Sequence, residues 1–156
     1  EVYENKYPVS IFNYGFRTDS GGVGKFRGGC GLYREYTVND DGFVSLWFER
    51  SKTTAWGLFG GSNGKGPDVE IIHSDGKKEN KLKVNGMQIK AGSKITTYTG
   101  GGGGFEQANE RKTQDVLEDV KNKYVSIEKA KEDFKVIITP DLTVNDELTN
   151  KLRNSE

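Results

Sequence analysis

The stretch Leu32-Tyr33-Arg34-Glu35-Tyr36-Thr37-Val38, Asn39-Asp40-Asp41-Gly42, Phe43-Val44-Ser45-Leu46-Trp47-Phe48-Glu49-Arg50 carries the strongest β signal in the chain. Aromatic and β-branched residues fill both arms, and four turn formers separate them. The reading is two strands joined as a hairpin through Asn39–Gly42. In the second arm Val44, Leu46 and Phe48 share one face, and Ser45, Trp47 and Glu49 share the other.

Further strands follow on either side. Ser10–Phe16 and Val69–Ile72 are short apolar runs bounded by turn residues. Leu82–Val84 leads into Asn85-Gly86, the dipeptide most typical of a two-residue hairpin turn, so Met87–Lys90 is expected to pair back. Lys94–Thr99 comes next. No helical period separates these strands, which predicts a mostly antiparallel sheet.

The pattern changes after residue 104. All 21 glycines lie in residues 1–104 and none in 105–156. Val116, Leu117, Val120 and Tyr124 sit at helical spacing. Ser126 is placed to cap a second helix with Ile127, Ala130 and Phe134 on one face. Val136-Ile137-Ile138 reads as a short strand closed by Thr139-Pro140. Asn145 is placed to cap a last helix with Leu148 and Leu152 inward. The expected fold is mainly β (α+β): a mostly antiparallel, Gly-rich β section over residues 1–104, followed by a small C-terminal helical tail over 105–156 packed on it.

Composition narrows the function. The 156 residues carry 23 basic and 23 acidic groups, so no electrostatic footprint for nucleic acid is present. No apolar run is long enough to span a membrane, and no basic-then-apolar leader opens the chain. A single Cys forms no internal disulfide and suits a reducing, cytoplasmic setting. One Cys and one His do not make a zinc site of the usual kind. The start at Glu1 rather than Met suggests an excised piece of a longer protein.

Three glycine clusters stand out. The first runs from Arg17 to Arg34 and contains Asp19-Ser20-Gly21-Gly22, Gly24-Lys25, Arg27-Gly28-Gly29-Cys30 and Gly31. Asp19-Ser20-Gly21-Gly22 has the form of a trypsin-like nucleophile segment. The only His, His73, follows Ser20, whereas in that family the His base precedes the serine in the chain. A P-loop also fails, because Gly24-Lys25 precedes Phe26 and Asp19 occupies the first glycine position. Two readings remain. Successive backbone N–H groups with Arg17, Lys25, Arg27 and Arg34 beside them form a nest for phosphate or carboxylate. Alternatively, Arg17 and Asp19 pair internally and the glycines permit tight turns and close backbone packing. The second cluster, Trp56-Gly57-Leu58-Phe59-Gly60-Gly61, is either a loop that packs over a partner or ligand, or an ordinary surface loop with anchoring aromatics. The third, Gly100–Gly104 before Phe105, either admits another backbone or forms a flexible joint.

In their order, these clusters resemble the C-terminal part of the hydantoinase B/oxoprolinase family. The matching residues are Arg17, Asp19-Ser20-Gly21-Gly22, Gly24, Arg27-Gly28-Gly29, Gly31, Arg34-Glu35, Trp56-Gly57-Leu58-Phe59-Gly60-Gly61 and Gly100–Gly104, with Asp119-Val120, Val125-Ser126, Ala130 and Val136-Ile137 in the tail. The chain departs from the family where Thr99 replaces a proline ahead of the glycine run, and where Phe105-Glu106-Gln107-Ala108 replaces aromatic-Gly-Asp-Pro.

The resemblance implies a fragment of an ATP-dependent cyclic amide hydrolase subunit. Such a subunit opens a lactam or imide ring, as in 5-oxoproline or N-methylhydantoin, through a phosphorylated intermediate formed with a hydantoinase A-type partner. A fragment of an acetone carboxylase-type subunit and a non-catalytic subunit-docking module are the alternatives. Partners implied are the hydantoinase A-type subunit and the remainder of the chain's own subunit, with neither nucleic acid nor membrane. ATP and a divalent metal belong to the full complex, and this fragment is expected to hold no cofactor or metal and to be inactive alone. Candidate anion-binding residues are Arg17, Asp19, Ser20, Gly21, Gly22, Arg27, Gly28, Gly29 and Arg34. Candidate partner or ligand residues are Trp56, Phe59, Gly60 and Gly61. The catalytic residues are expected to lie outside this chain.

Overall fold

A computed structural model describes residues 1–154. A short helix α1 (Val2–Lys6) leads into β1 (Val9–Phe16), β2 (Leu32–Val38), β3 (Gly42–Trp47), β4 (Asp68–Ile72), β5 (Lys78–Asn80), β6 (Lys83–Ile89) and β7 (Lys94–Tyr98). One 3-10 turn, Ala108–Glu110, precedes α2 (Thr113–Lys121), α3 (Ile127–Phe134) and α4 (Asp146–Arg153). The strands form a five-stranded sheet in the order β1-β2-β7-β4-β5 and a separate pair, β3-β6. All the strand pairings are antiparallel. The mostly antiparallel β architecture with short helices near the C-terminus is therefore present.

Two expected hairpins are not. β2 and β3 do not pair across Asn39–Gly42. The backbone of β2 is hydrogen-bonded to β1 on one side and β7 on the other, so it has no free edge for β3. The 39–42 segment instead crosses between the two sheets. It is held by Asn39 N–H donating to the Pro8 carbonyl (2.8 Å), and by Asp41, which accepts from the Ala91 amide (2.9 Å) and pairs with Lys90 (2.7 Å). The hydrogen bond from Lys90 holds the Asp41 carboxyl below its ordinary range. Likewise Asn85-Gly86 is not a turn. β6 runs straight through it, and the register against β3 shifts between Val44 and Leu46. Gly86, at φ 61°, supplies the left-handed residue of this bulge, and Ser45 fixes it by bonding the Asn85 side chain and the Gly86 amide.

The β3-β6 pair packs over the larger sheet. Leu46 and Ile89 meet Val38, Val69, Ile71 and Ile95 in one apolar core, with Val44 and Phe48 at its margin as their spacing predicts. A second core lies in the tail, where Val116, Leu117 and Val120 of α2 meet Val125, Ala130, Phe134, Val136 and Ile138. Both expected caps form: Ser126 accepts from the Lys129 amide and Asn145 from the Leu148 amide. Tyr124 lies past the end of α2, and Ile138 makes only an isolated bridge to Val144 in place of the expected strand. Leu148 faces outward; the buried residue of α4 is Thr149, whose hydroxyl accepts from the Ile137 amide (3.0 Å).

Between sheet and tail lies a body that is neither strand nor helix. Residues 20–31, 55–66 and 100–106 run as chains hydrogen-bonded sideways to one another. Gly22 donates to Gly102, Gly102 to Gly29, Gly101 to Lys65, Lys65 to Ser20, Ser62 to Val23 and Gly104 to Ser62, at 2.7 to 2.9 Å. A Cβ on Gly101 would stand 1.9 Å from the Ser20 carbonyl oxygen, on Gly103 2.0 Å from that of Trp56, and on Gly28 2.1 Å from that of Gly102. Eleven glycines have a backbone atom within 3.0 Å of that position. Of the two readings left open for Gly100–Gly104, the structure shows the close approach of other backbones.

Packing this tight gives an expected outcome. Gly101→Ala costs about 3 kcal/mol or more of unfolding free energy, because the clash is with the fixed backbone of Ser20 and Gly21. Gly29→Ala, with nothing within 4 Å of its Cβ position, is neutral or stabilises by up to about 1 kcal/mol. Urea unfolding midpoints of the two variants check this.

Candidate functional site

The glycine body places the sequence candidates. Arg17 reaches across it: its guanidinium donates to the Gly66 carbonyl (2.7 Å) and the Thr99 carbonyl (3.3 Å) and stacks over the Tyr98 ring. Ser20 is fully buried; its hydroxyl donates to the Arg17 carbonyl and accepts from the Gly31 amide (2.8 Å). Asp19 does not pair with Arg17. Its backbone is left-handed at φ 57°, and its carboxylate accepts from the Ser126 amide (2.8 Å) at the start of α3.

Arg27 is bound to the tail. Its guanidinium contacts both carboxylate oxygens of Asp119 (3.1 and 3.2 Å), donates to the Gly28 carbonyl (2.6 Å) and stacks over Tyr124. Arg111 completes the cluster from the other side, 2.9 Å from Asp119, with a second donor on the Lys25 carbonyl (2.9 Å). Asp119 is 7% exposed, so one carboxylate serves two guanidinium groups away from water. Arg34 lies apart, over the Tyr14 ring on the sheet. The amides of Gly22 and Gly28 donate to the carbonyls of Gly102 and Gly22. Gly21 and Gly29 are in the same body: the Gly21 amide nitrogen packs against Gly101, and the Gly29 carbonyl accepts from the Gly102 amide (2.9 Å).

Beside this lies a polar cleft of about 480 Å³, within the range of small-molecule sites. Of the first cluster, Asp19, Gly21 and Arg27 line it, joined by Gly60 from the second. Lys65, Lys129, Glu132 and Asp133 also line it. Burial pushes the Asp133 carboxyl up against the opposing pull of Lys129, while the hydrogen bond to Glu132 raises the Lys129 ammonium. Sequence reasoning missed Lys129 and Asp133 because more than a hundred residues separate them from Asp19, and nothing local marks the pairing. Among the described residues, no group of three or more His, Cys, Asp and Glu side chains is placed to hold a metal ion. His73, just past β4, is engaged with Glu79 (2.7 Å).

The second cluster is half framework, half surface. Gly57 and Gly61 sit against backbone, whereas Trp56 and Phe59 are largely exposed. Leu58 to Gly61 is a tight turn closed by the Gly61 amide on the Leu58 carbonyl (3.0 Å), with φ 51° at Phe59 and 96° at Gly60.

The buried cluster yields a further expected outcome. Asp119→Ala leaves two arginines facing each other without an anion and lowers stability by about 3 kcal/mol or more. Arg34→Ala, which removes one stacking contact at a half-buried site, costs under about 1 kcal/mol. Chemical unfolding of both variants reads the difference.

Comparison with known proteins agrees with this geometry. The family model described as hydantoinase B/oxoprolinase matches residues 1–108, which hold all three glycine segments. An uncharacterized protein of Methanocaldococcus jannaschii is 39% identical over 156 residues, covering 98% of this chain and 28% of that protein. A 5-oxoprolinase of Dictyostelium discoideum is 36% identical over 107 residues, 69% of this chain and 8% of that one. The crystal structure of the ATP-dependent caprolactamase from Pseudomonas jessenii superposes with a TM-score of 0.84 at 29% identity, over 97% of this chain and 27% of that one. The chain thus spans about a quarter or less of the length of these relatives. With the family model covering over two-thirds of its residues, and its glycine segments folded into one interlocked body, this chain belongs to the hydantoinase B/oxoprolinase family.

Proposed function

We propose that the chain is the glycine-body region of an ATP-dependent cyclic amide hydrolase subunit, where it serves as a rigid structural and docking element. The observation that carries this is the use of its polar groups. Arg17, Ser20, Asp19, Arg27 and Asp119 all bond to this chain's own backbone or to each other. They tie the glycine body to sheet and tail. ATP and any metal are then held by other parts of the complex, among them a hydantoinase A-type partner.

In the reaction class proposed, the γ-phosphoryl group of ATP passes to the ring carbonyl oxygen and ADP leaves. Water then adds to the activated carbon, the ring C–N bond breaks and phosphate departs. The cleft beside Arg27 and Lys129 is proposed as a region of mixed charge facing that chemistry. The names of the relatives, a 5-oxoprolinase and an ATP-dependent caprolactamase, support this class.

The test assays a subunit carrying this region, combined with a hydantoinase A-type partner and ATP, on 5-oxoproline, hydantoins and caprolactam. Ring opening coupled to phosphate release is expected, with none from residues 1–156 alone. ATP hydrolysis that depends on a ketone and bicarbonate, with no ring opening, would overturn the hydrolase reading in favour of a carboxylase. Turnover by the isolated 156 residues would overturn the docking role.

A further inference from the structure

Phe26, Leu58, Phe59 and Phe105 form an apolar shelf on the outer side of the glycine body. They are 59%, 50%, 75% and 37% exposed. The ring centroids of Phe59 and Phe105 are 5.3 Å apart, and those of Phe26 and Phe105 are 6.2 Å apart, so the patch is continuous. A soluble surface rarely keeps such a group of large apolar side chains without a use for it.

The shelf is also stiff. Phe26 and Phe105 exchange both backbone hydrogen bonds (3.1 and 3.0 Å). Leu58 donates to the Gly104 carbonyl and accepts from the Glu106 amide, each at 3.0 Å. The glycine body thus fixes the backbone beneath Phe26, Leu58 and Phe105, which lowers the ordering cost of binding. Phe59, at φ 51° in the turn closed by the Gly61 amide on the Leu58 carbonyl, projects the most exposed of the three rings. Lys25, paired with Glu106 (3.0 Å) and Glu110 (3.1 Å), gives the shelf a polar margin, as interfaces have.

We propose that this shelf docks an apolar surface on the body of a hydantoinase B-type subunit, the large polypeptide that accompanies this region in its relatives. The inference rests on the family-based reading above. Two observations select the occupant. The M. jannaschii relative and the caprolactamase carry this region as 28% and 27% of a longer chain, so most of such a chain lies outside the folded unit described here. All four shelf residues lie within the 1–108 span that the family model matches, so the shelf belongs to the region that relatives share. An aromatic, uncharged patch calls for an apolar counterpart, and central aromatic anchors carry most of the energy of such contacts.

The test uses a B-type subunit that contains this region, as wild type and with Phe59→Ser or Phe26→Ser. Both substitutions fall on exposed side chains. The subunit's thermal midpoint is expected to fall by about 3 °C or more, and proteolytic separation of this region from the body to quicken at least about fivefold. The midpoint of residues 1–156 alone should move by less than about 1 °C, and Phe59→Leu should retain most of the wild-type behaviour. An unchanged subunit, or an equal drop in the isolated chain, overturns the proposal. So does a loss confined to binding of the ATP-using partner, or self-association of the 156-residue chain that Phe59→Ser abolishes. These readouts need no turnover, so absent ring opening with a destabilised subunit would sink the hydrolase reading and leave the shelf standing.

Discussion

Carbonyl oxygens occupy the places where side chains would begin in the middle of this molecule. Ser20, Trp56, Ser62, Gly102 and Thr99 each direct one at the Cβ position of a glycine in another segment, between 1.9 and 2.3 Å away. Only backbone fits backbone at that distance. Three segments distant in sequence are thereby locked side by side, each hydrogen-bonded to the others in more than one direction. No apolar residue is needed inside this body, which explains how a chain with so few large aliphatic residues builds a stiff centre. The cost is entropic, because glycine loses more freedom on folding than any other residue.

Everything else is attached to that body. The larger sheet joins through Leu32 and Thr99, where β2 and β7 run into it. The tail joins through Tyr124: its carbonyl accepts from the Asp19 amide (3.0 Å), its ring meets Phe16 edge-on, and Arg27 stacks on its face. Arg27 and Arg111 then clamp Asp119 of α2, and Val23 packs against the tail core. Arg17 and Arg27 of the first cluster thus bond to the protein's own carbonyls and carboxylate, while Arg34 lies over Tyr14. The aromatic residues are divided in the opposite sense, since Phe26, Phe59 and Trp56 leave the body facing outward. Of these exposed rings, Phe26 and Phe59 belong to the surface on which the proposed docking to further polypeptide rests.

The elements legible in the sequence are those whose own signal is local. Local alternation places β1, β4 and β7, and helical spacing with the caps Ser126 and Asn145 places α3 and α4, because a cap bonds an amide three residues away. Where the partner is remote, local signals misled. Asn85-Gly86 has the chemistry of a turn, yet the same left-handed glycine equally serves a bulge in a strand that runs on to pair with β3. Asn39–Gly42 has the chemistry of a hairpin loop, yet both edges of β2 are taken by β1 and β7. The candidate residues were found by cluster and order, but their partners were not: Arg27 lies 92 residues from Asp119, and Asp19 lies 107 from Ser126.

By itself the sequence determined the β class, the tail helices, the three glycine clusters and their family likeness. Each depends on residue type, spacing or order along the chain. Only the tertiary structure decided what the glycines do, because close approach is a property of two segments and no single segment records it. It also decided that Arg27 is a clamp and Phe59 a surface ring, since both outcomes hang on which backbone passes alongside.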